Sequence, residues 1–204
     1  NQELWKKINV EGTKNLLDSL KELQKKSKIL IITSAEIYGI PETIPIKEDA
    51  SLNPMSPYAE SRKEQEALCN SYSYLDIVIS RSFPHIGPGQ LPIFVSSSFA
   101  KQIVEVEKGI SEPVIKVGNL EAKRDFTDVR DIVKAYLLAL EKGIPGETYN
   151  ICSNKAYSIQ EILDKLLSFS DIEIKIEQDS ERMRPSDIPV LQGDNSKFKE
   201  QTGW

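Results

Sequence analysis

Apolar residues recur at helical spacing over residues 4–23 (Leu4, Ile8, Leu16, Leu17, Leu20, Leu23), and the continuous apolar run KILIITS follows. That order predicts an amphipathic helix and then a buried strand. A proline-rich loop over residues 41–54 leads to a second helix, opened by Ser56 as N-cap with Pro57 in the first helical position. YLDIVIS reads as the next strand. Beyond the glycine- and proline-marked loop FPHIGPGQLP, the spacing predicts a helix in IFVSSSFAKQIVEVEKG and a strand in PVIKVGN. A further helix, DVRDIVKAYLLALEKG, closes at Gly143 and precedes the strand ETYNIC. Ser158 and Glu161 have capping-box spacing, which starts a helix running to about Phe169, and IEIKIEQ alternates as an exposed strand does. Helices alternating with strands make this an α/β chain.

The pattern begins inside a helix, with no strand and glycine-rich turn ahead of it. A doubly wound sheet would then lack its first βαβ units, so the 204 residues are expected to be a piece of a longer chain.

Composition narrows the chemistry. A net charge of -5 argues against sequence-independent nucleic-acid binding, which needs a basic surface to displace counterions. Cys69 and Cys152 lie far apart without metal-ligand spacing, which fits a reducing cytosol better than a disulfide framework. No apolar run is long enough to span a bilayer, and no signal-peptide block opens the chain, so a cytoplasmic protein with no membrane partner is expected. With His85 as the single histidine, no histidine-rich metal centre can form, and acid–base work falls on Tyr, Ser, Glu, Asp or Lys.

The segment MSPYAESRKEQE places Tyr58 at a helix N-terminus with Arg62 four residues on. A cation at that spacing shares the tyrosine's helix face and favours a phenolate, as does the helix dipole, whereas Lys63 is rotated away. Taken alone, Tyr-x-x-x-Arg reads as a solvated surface turn, and Ser34 at the end of its strand as a turn residue. Strand ends are nonetheless where open α/β sheets place ligand contacts.

NVEGTKNLL, ITSAEIYG, SPYAESR, RSFPHIGPGQ, VGNLEAKRDFTDVRDIVKAY, YNICS and RPSDIPVLQGDNSKFKEQTGW follow one another along the whole chain. In that order they resemble the extended short-chain dehydrogenase/reductases acting on nucleotide sugars, the NAD-dependent epimerase/dehydratase family. Within that family the chain looks like the reductases of GDP-4-keto-6-deoxy-D-mannose. The resemblance implies a Rossmann-like doubly wound parallel sheet, its N-terminal part missing, with a smaller α/β substrate-binding domain. Residues 1–88 would be the C-terminal portion of the cofactor domain and 89–204 mainly the nucleotide-sugar domain, with about 124–153 returning to the Rossmann unit.

The implied reaction moves hydride from NADPH or NADH to the sugar ketone at carbon 4, giving GDP-D-rhamnose. Tyr58 would supply the proton, Ser34 would bond the same oxygen, and Arg62 would replace the family's lysine; all three would also touch the cofactor. Glu36 stands where related dehydratases keep a base and would contact the sugar. His85, Phe94, Val95 and Lys101 would belong to the substrate pocket, and Arg124 and Arg184 would clamp the diphosphate, a task suited to arginine's planar fork. Asn9 would be a supporting polar residue. A homodimer through the helices opening at Gln2 and Ser56 is also implied, with Leu16, Leu20 and Leu68 available, although their spacing fits burial against the sheet equally.

Three departures stand out. Arg62 cannot relay a proton at neutral pH, Pro84 offers no side-chain donor where many relatives have asparagine, and no G-x-G-x-x-G or G-x-x-G-x-x-G occurs. The polypeptide as given should therefore bind nicotinamide nucleotide poorly or not at all. A GDP-mannose 4,6-dehydratase, another nucleotide-sugar epimerase or dehydratase, and a truncated, non-catalytic nucleotide-sugar-binding protein remain the rival readings.

Overall fold

The computed structural model describes residues 2–24, 27–183 and 188–204. The chain opens with α1 (Gln2–Lys6), a π-helical turn (Lys7–Glu11) and α2 (Gly12–Glu22), continuous in direction, followed by β1 (Ile29–Ser34). After a 3₁₀ turn (Ala35–Tyr38) come α3 (Pro57–Asn70), β2 (Ile77–Ser82), β3 (His85–Ile86) and α4 (Val95–Glu107). Next are β4 (Val114–Val117), β5 (Lys123–Asp125), β6 (Thr127–Asp128), α5 (Val129–Lys142) and β7 (Thr148–Ile151). The remainder is β8 (Ala156–Ser158), α6 (Ile159–Leu167), β9 (Lys175–Gln178), β10 (Val190–Leu191) and α7 (Ser196–Thr202).

The main sheet runs β1-β2-β7, all parallel, with Ile29 opposite Ile77 and Ile79 opposite Thr148. Alternation along β2 sends Val78 to one face and Ile77 and Ile79 to the other, and both faces are covered. Val78 packs with Ile132, Ala135 and Ala139 of α5 and Phe198 of α7. Ile77 and Ile79 pack with Leu17 of α2 and Cys69 and Tyr72 at the end of α3. Every residue of β2 is buried, as a central strand between two helical layers requires. This is the Rossmann-like α/β layering expected from the sequence.

A further apolar cluster joins Phe99 and Ile103 of α4 to Ile115, Val117, Ile159 and Leu163. Around it lie the β10-β5-β8 sheet and the β4-β9 pair. The predicted strand in IEIKIEQ is β9, exposed along its length and parallel to β4, and the predicted helix from Ser158 ends at Leu167, two residues short of the expected Phe169. Its capping box forms as the spacing foretold.

The N-terminal helix departs from expectation. Leu4, Ile8, Leu16 and Leu23 are exposed, and the inward face is instead Asn9, Thr13 and Leu17. The cause is the π turn, where the Gly12 N–H reaches back five residues to the Lys7 carbonyl. In a straight α-helix, residues four apart drift by about 40° per step. The wider π turn offsets that drift and keeps Trp5, Asn9, Thr13 and Leu17 on one line against α3. Leu16 therefore does not bury against the sheet, the packing its spacing equally allowed.

Candidate active site

The residues at the C-terminal ends of β1 and β2 open into a cleft of about 1220 Å³. This is where an open parallel sheet places its ligands, because the strand ends and helix N-termini converge there. Ser34, Glu36, Tyr58, Arg62, Pro84, His85, Phe94, Val95 and Arg124 all line it. Lys101 does not: it sits a turn beyond the cleft-lining start of α4, exposed and 3.6 Å from Glu105. Arg184 lies outside the described residues.

Tyr58 is half-buried in the first turn of α3, which Ser56 caps through the Ala59 N–H and Pro57 begins. Its phenol oxygen accepts from Arg62 Nε at 3.2 Å, and the guanidinium lies 5.2 Å from the ring centroid. With that oxygen already accepting from a cation, the tyrosine's own O–H is the group left to donate. Trp5 meets the ring edge-on at 5.1 Å and fixes its plane. Ser34 Oγ accepts from the Glu36 N–H at 3.2 Å, which leaves the serine proton, too, as a donor. Two hydroxyl donors thus line one cleft, one of them backed by a positive charge.

Arg62 is held on the opposite side of its fork. Nη1 donates to the Ile32 carbonyl at 3.1 Å and to Gln65 Oε1 at 2.9 Å, while Nη2 has no partner among the described residues. Deeper in, Glu66 receives Nε and Nη2 of Arg81 and the Thr33 hydroxyl at 2.6–3.2 Å. Arg81 continues to the Tyr38 hydroxyl at 2.9 Å, and Tyr38 donates to Asn150 at 2.7 Å. Burial pushes the Tyr38 phenol up to about 12, so it stays a donor at neutral pH. Tyr58, Arg62 and Glu66 sit four apart on α3, so this network ties the tyrosine's helix to β1, β2 and β7.

Tyr136 of α5 also faces the cleft and shares a 2.8 Å hydrogen bond with the Ser82 hydroxyl. Burial raises its phenol above the ordinary value, and the nearby Tyr58 adds to the rise. At the far end, Arg124 Nη1 donates to the carbonyls of Lys123 and Ile188, and Lys116 and Arg182 bring two more cations to the lining. Arg182 is steadied by Asp179 at 3.3 Å and by the Ser98 hydroxyl at 3.3 Å. A Cβ on Gly118 would collide with the Arg182 carbonyl, so the approach of this segment over the cleft requires glycine there. His85 is exposed, with Nδ1 3.2 Å from the Phe83 carbonyl.

Trp5, Gln65, Lys116, Tyr136 and Arg182 were not among the residues predicted from sequence. Gln65 was findable, lying three residues past Arg62 on the same helix. The others carried no local signal, because their approach to the cleft depends on how α1, α5 and the 179–183 segment pack.

Comparison with known proteins places this geometry. The chain is 36% identical over 202 residues to GDP-6-deoxy-D-mannose reductase of Pseudomonas aeruginosa, a match covering 97% of this chain and 66% of that protein. It is 33% identical to GDP-6-deoxy-D-talose 4-dehydrogenase of Aggregatibacter actinomycetemcomitans, covering 94% of this chain and 64% of that protein. Among solved structures, that of RMD from Pseudomonas aeruginosa complexed with NADPH superposes with a TM-score of 0.91 at 35% identity, covering 98% of this chain and 68% of the other. The chain spans about two thirds of the length of these relatives. The family model described as GDP-mannose 4,6 dehydratase matches residues 2–204, and the chain belongs to that family.

Proposed function

We propose that these residues form the catalytic and substrate-binding part of an NAD(P)H-dependent reductase that converts the 4-keto group of GDP-4-keto-6-deoxy-D-mannose to the alcohol of GDP-D-rhamnose. The observation that carries the reading is the pairing of Tyr58 with Arg62 in one cleft with Ser34, with three cations at its other end. The two relatives named above, a GDP-sugar reductase and a GDP-sugar dehydrogenase, support the substrate class.

In this reading Ser34 and Tyr58 donate hydrogen bonds to the ketone oxygen and polarise it. Tyr58 then gives up its proton as negative charge grows on that oxygen, and Arg62 stabilises the phenolate left behind. Because Arg62 cannot itself pass a proton, Tyr58 recovers one from water in the open cleft. Glu36 contacts the sugar, Phe94 and Val95 shape the nucleotide pocket, and Arg124 with Arg184 clamps the diphosphate. A nicotinamide nucleotide, NADPH or NADH, supplies the hydride when bound. The residues present fit its nicotinamide end: the Tyr58 hydroxyl and the unpartnered Arg62 Nη2 are donors suited to ribose hydroxyls.

Residues 1–88 together with about 124–153 form the cofactor-side unit and the rest of 89–204 mainly the substrate-side unit, a division supported by the separate clusters around Leu17 and Ile79 and around Phe99 and Leu163, with Phe198 of α7 packing on the cofactor side. A homodimer through α1–α2 and α3 is supported by the exposure of Leu4, Ile8 and Leu16; sedimentation as a monomer would count against it. Among the described residues no helix is long and apolar enough to cross a membrane, and both cysteines are free and buried, which supports a cytoplasmic location.

The experiment is a turnover assay in the protein as its gene encodes it. Reduced cofactor should be consumed only when the ketosugar is supplied, and Tyr58→Phe should lower kcat by about 10²–10⁴. Undiminished turnover in that variant would remove the assignment. Glu36 in the cleft supports a second reading, a GDP-mannose 4,6-dehydratase, for which GDP-mannose alone would be turned over.

A further inference from the structure

An ammonium presents its charge in all directions, but a guanidinium is a flat fork whose donors reach a target only when the plane is held. Arg62 meets that requirement through Gln65. Nη1 carries only hydrogens, so the Gln65 atom 2.9 Å away is the carbonyl oxygen, and the amide nitrogen must face the other way. It does so toward Thr13 Oγ1 of α2, at 2.8 Å. Both side chains are buried, Gln65 6% and Thr13 8% exposed, so water does not compete for these bonds. With Nη1 anchored to Gln65 and Ile32, Nε is left pointing at the Tyr58 oxygen.

We propose that Gln65, oriented by Thr13, is a positioning residue that fixes the plane of Arg62 and thereby aims Nε at Tyr58. A lysine at position 62 would not need such an anchor, so Gln65 is the partner that an arginine in this place requires. The π turn enters the same chain of contacts, since it keeps Thr13 in line with Asn9, which donates to Ser61 at 2.8 Å, and with Trp5 against Tyr58. The kinetic consequence rests on the reductase reading; the geometric one does not.

Two arms separate these. In the first, the double variant Gln65→Met/Thr13→Val, which removes both polar groups and leaves no buried amide or hydroxyl stranded, is assayed with Arg62 and again with Arg62→Lys. With arginine, kcat should fall roughly tenfold while KM for the ketosugar holds within about twofold. With lysine, the same pair of changes should alter kcat by no more than about twofold. Equal losses in both backgrounds would assign Gln65 to helix packing alone and overturn the proposal.

In the second arm, ¹⁵N NMR of the Arg62 guanidinium should show separate Nη1 and Nη2 signals in the unaltered protein and one averaged signal in the variant, with the far-ultraviolet spectrum unchanged. The titratable and charged groups sharing the cleft with Tyr58 and Arg62 are Glu36, His85 and Tyr136, with Lys116, Arg124, Glu181 and Arg182 beyond, so the spectra are compared at one fixed pH. Identical Arg62 signals in both proteins would overturn the proposal whatever the kinetics. Absence of turnover in every form, the unaltered one included, would refute the reductase reading and leave the guanidinium signal to decide on Gln65.

Discussion

Glu66 lies behind Tyr58 and Arg62 with a guanidinium against both its oxygens, whereas Asp125, beside Arg124 at the other end of the cleft, is met among the described residues only by neutral donors. Both carboxylates are buried, 6% and 0% exposed. The Glu66–Arg81 pair keeps its charges matched and spans α3 and β2, with Thr33, Tyr38 and the Glu48 carbonyl taking further bonds. Asp125 accepts instead from the Ser153 N–H and hydroxyl and from the Gly193 N–H, which joins β5 to the segments after β7 and β10. Burial raises its carboxyl above the ordinary value, and those hydrogen bonds offset only part of the rise. The end proposed to carry the acid is therefore tied by a matched ion pair between α3 and β2, while the end that would hold the diphosphate is tied by dipoles and keeps a titratable group behind it.

Breaking the matched pair should have the larger effect. Arg81→Met leaves Glu66 buried without its cation and should cost about 3–5 kcal/mol in urea unfolding, whereas the joint change Arg81→Met/Glu66→Leu should recover much of that loss. A single variant as stable as the unaltered protein would show that the pair is not what ties α3 to the sheet.

Asp125→Asn should cost less, about 1–3 kcal/mol, because its amide cannot accept from the Gly193 and Ser153 donors together. The same variant sharpens the contrast through pH. The folded carboxyl titrates above its ordinary value of 3.8, so in the interval between them the folded state binds more protons than the unfolded one. Its contribution is full below 3.8 and is lost as pH rises through the folded value. Unfolding free energies measured across that interval should decline with pH more steeply for the unaltered protein than for Asp125→Asn. Parallel curves would contradict the claim that Asp125 has no compensating charge among the described residues.

The sequence showed the parts of this molecule that are governed by local rules. The Ser56-Pro57 start and the Ser158/Glu161 capping box form as their spacing requires, because caps depend on residues three apart and on little else. Strand β1 was visible as the continuous apolar run KILIITS. The two- and three-residue strands β3, β6, β8 and β10 were not, since their existence depends on pairing partners tens of residues away. Leu4, Ile8 and Leu16 misled because a 3.6-residue period was assumed across a π turn. At the site, Tyr58, Arg62 and Ser34 were named through family motifs and share one cleft, while Lys101 lies outside its lining, a turn further along α4. Trp5, Tyr136 and Arg182 reach it only through tertiary packing.

The central claim is that this cleft directs hydride to carbon 4 of a GDP-linked ketosugar. The direct measurement supplies GDP-4-keto-6-deoxy-D-mannose with reduced nicotinamide nucleotide deuterated at its transferable position and locates the label in the product by NMR. The account predicts deuterium on carbon 4 of a GDP-6-deoxyhexose. A product without label, or label at any other carbon, would contradict it.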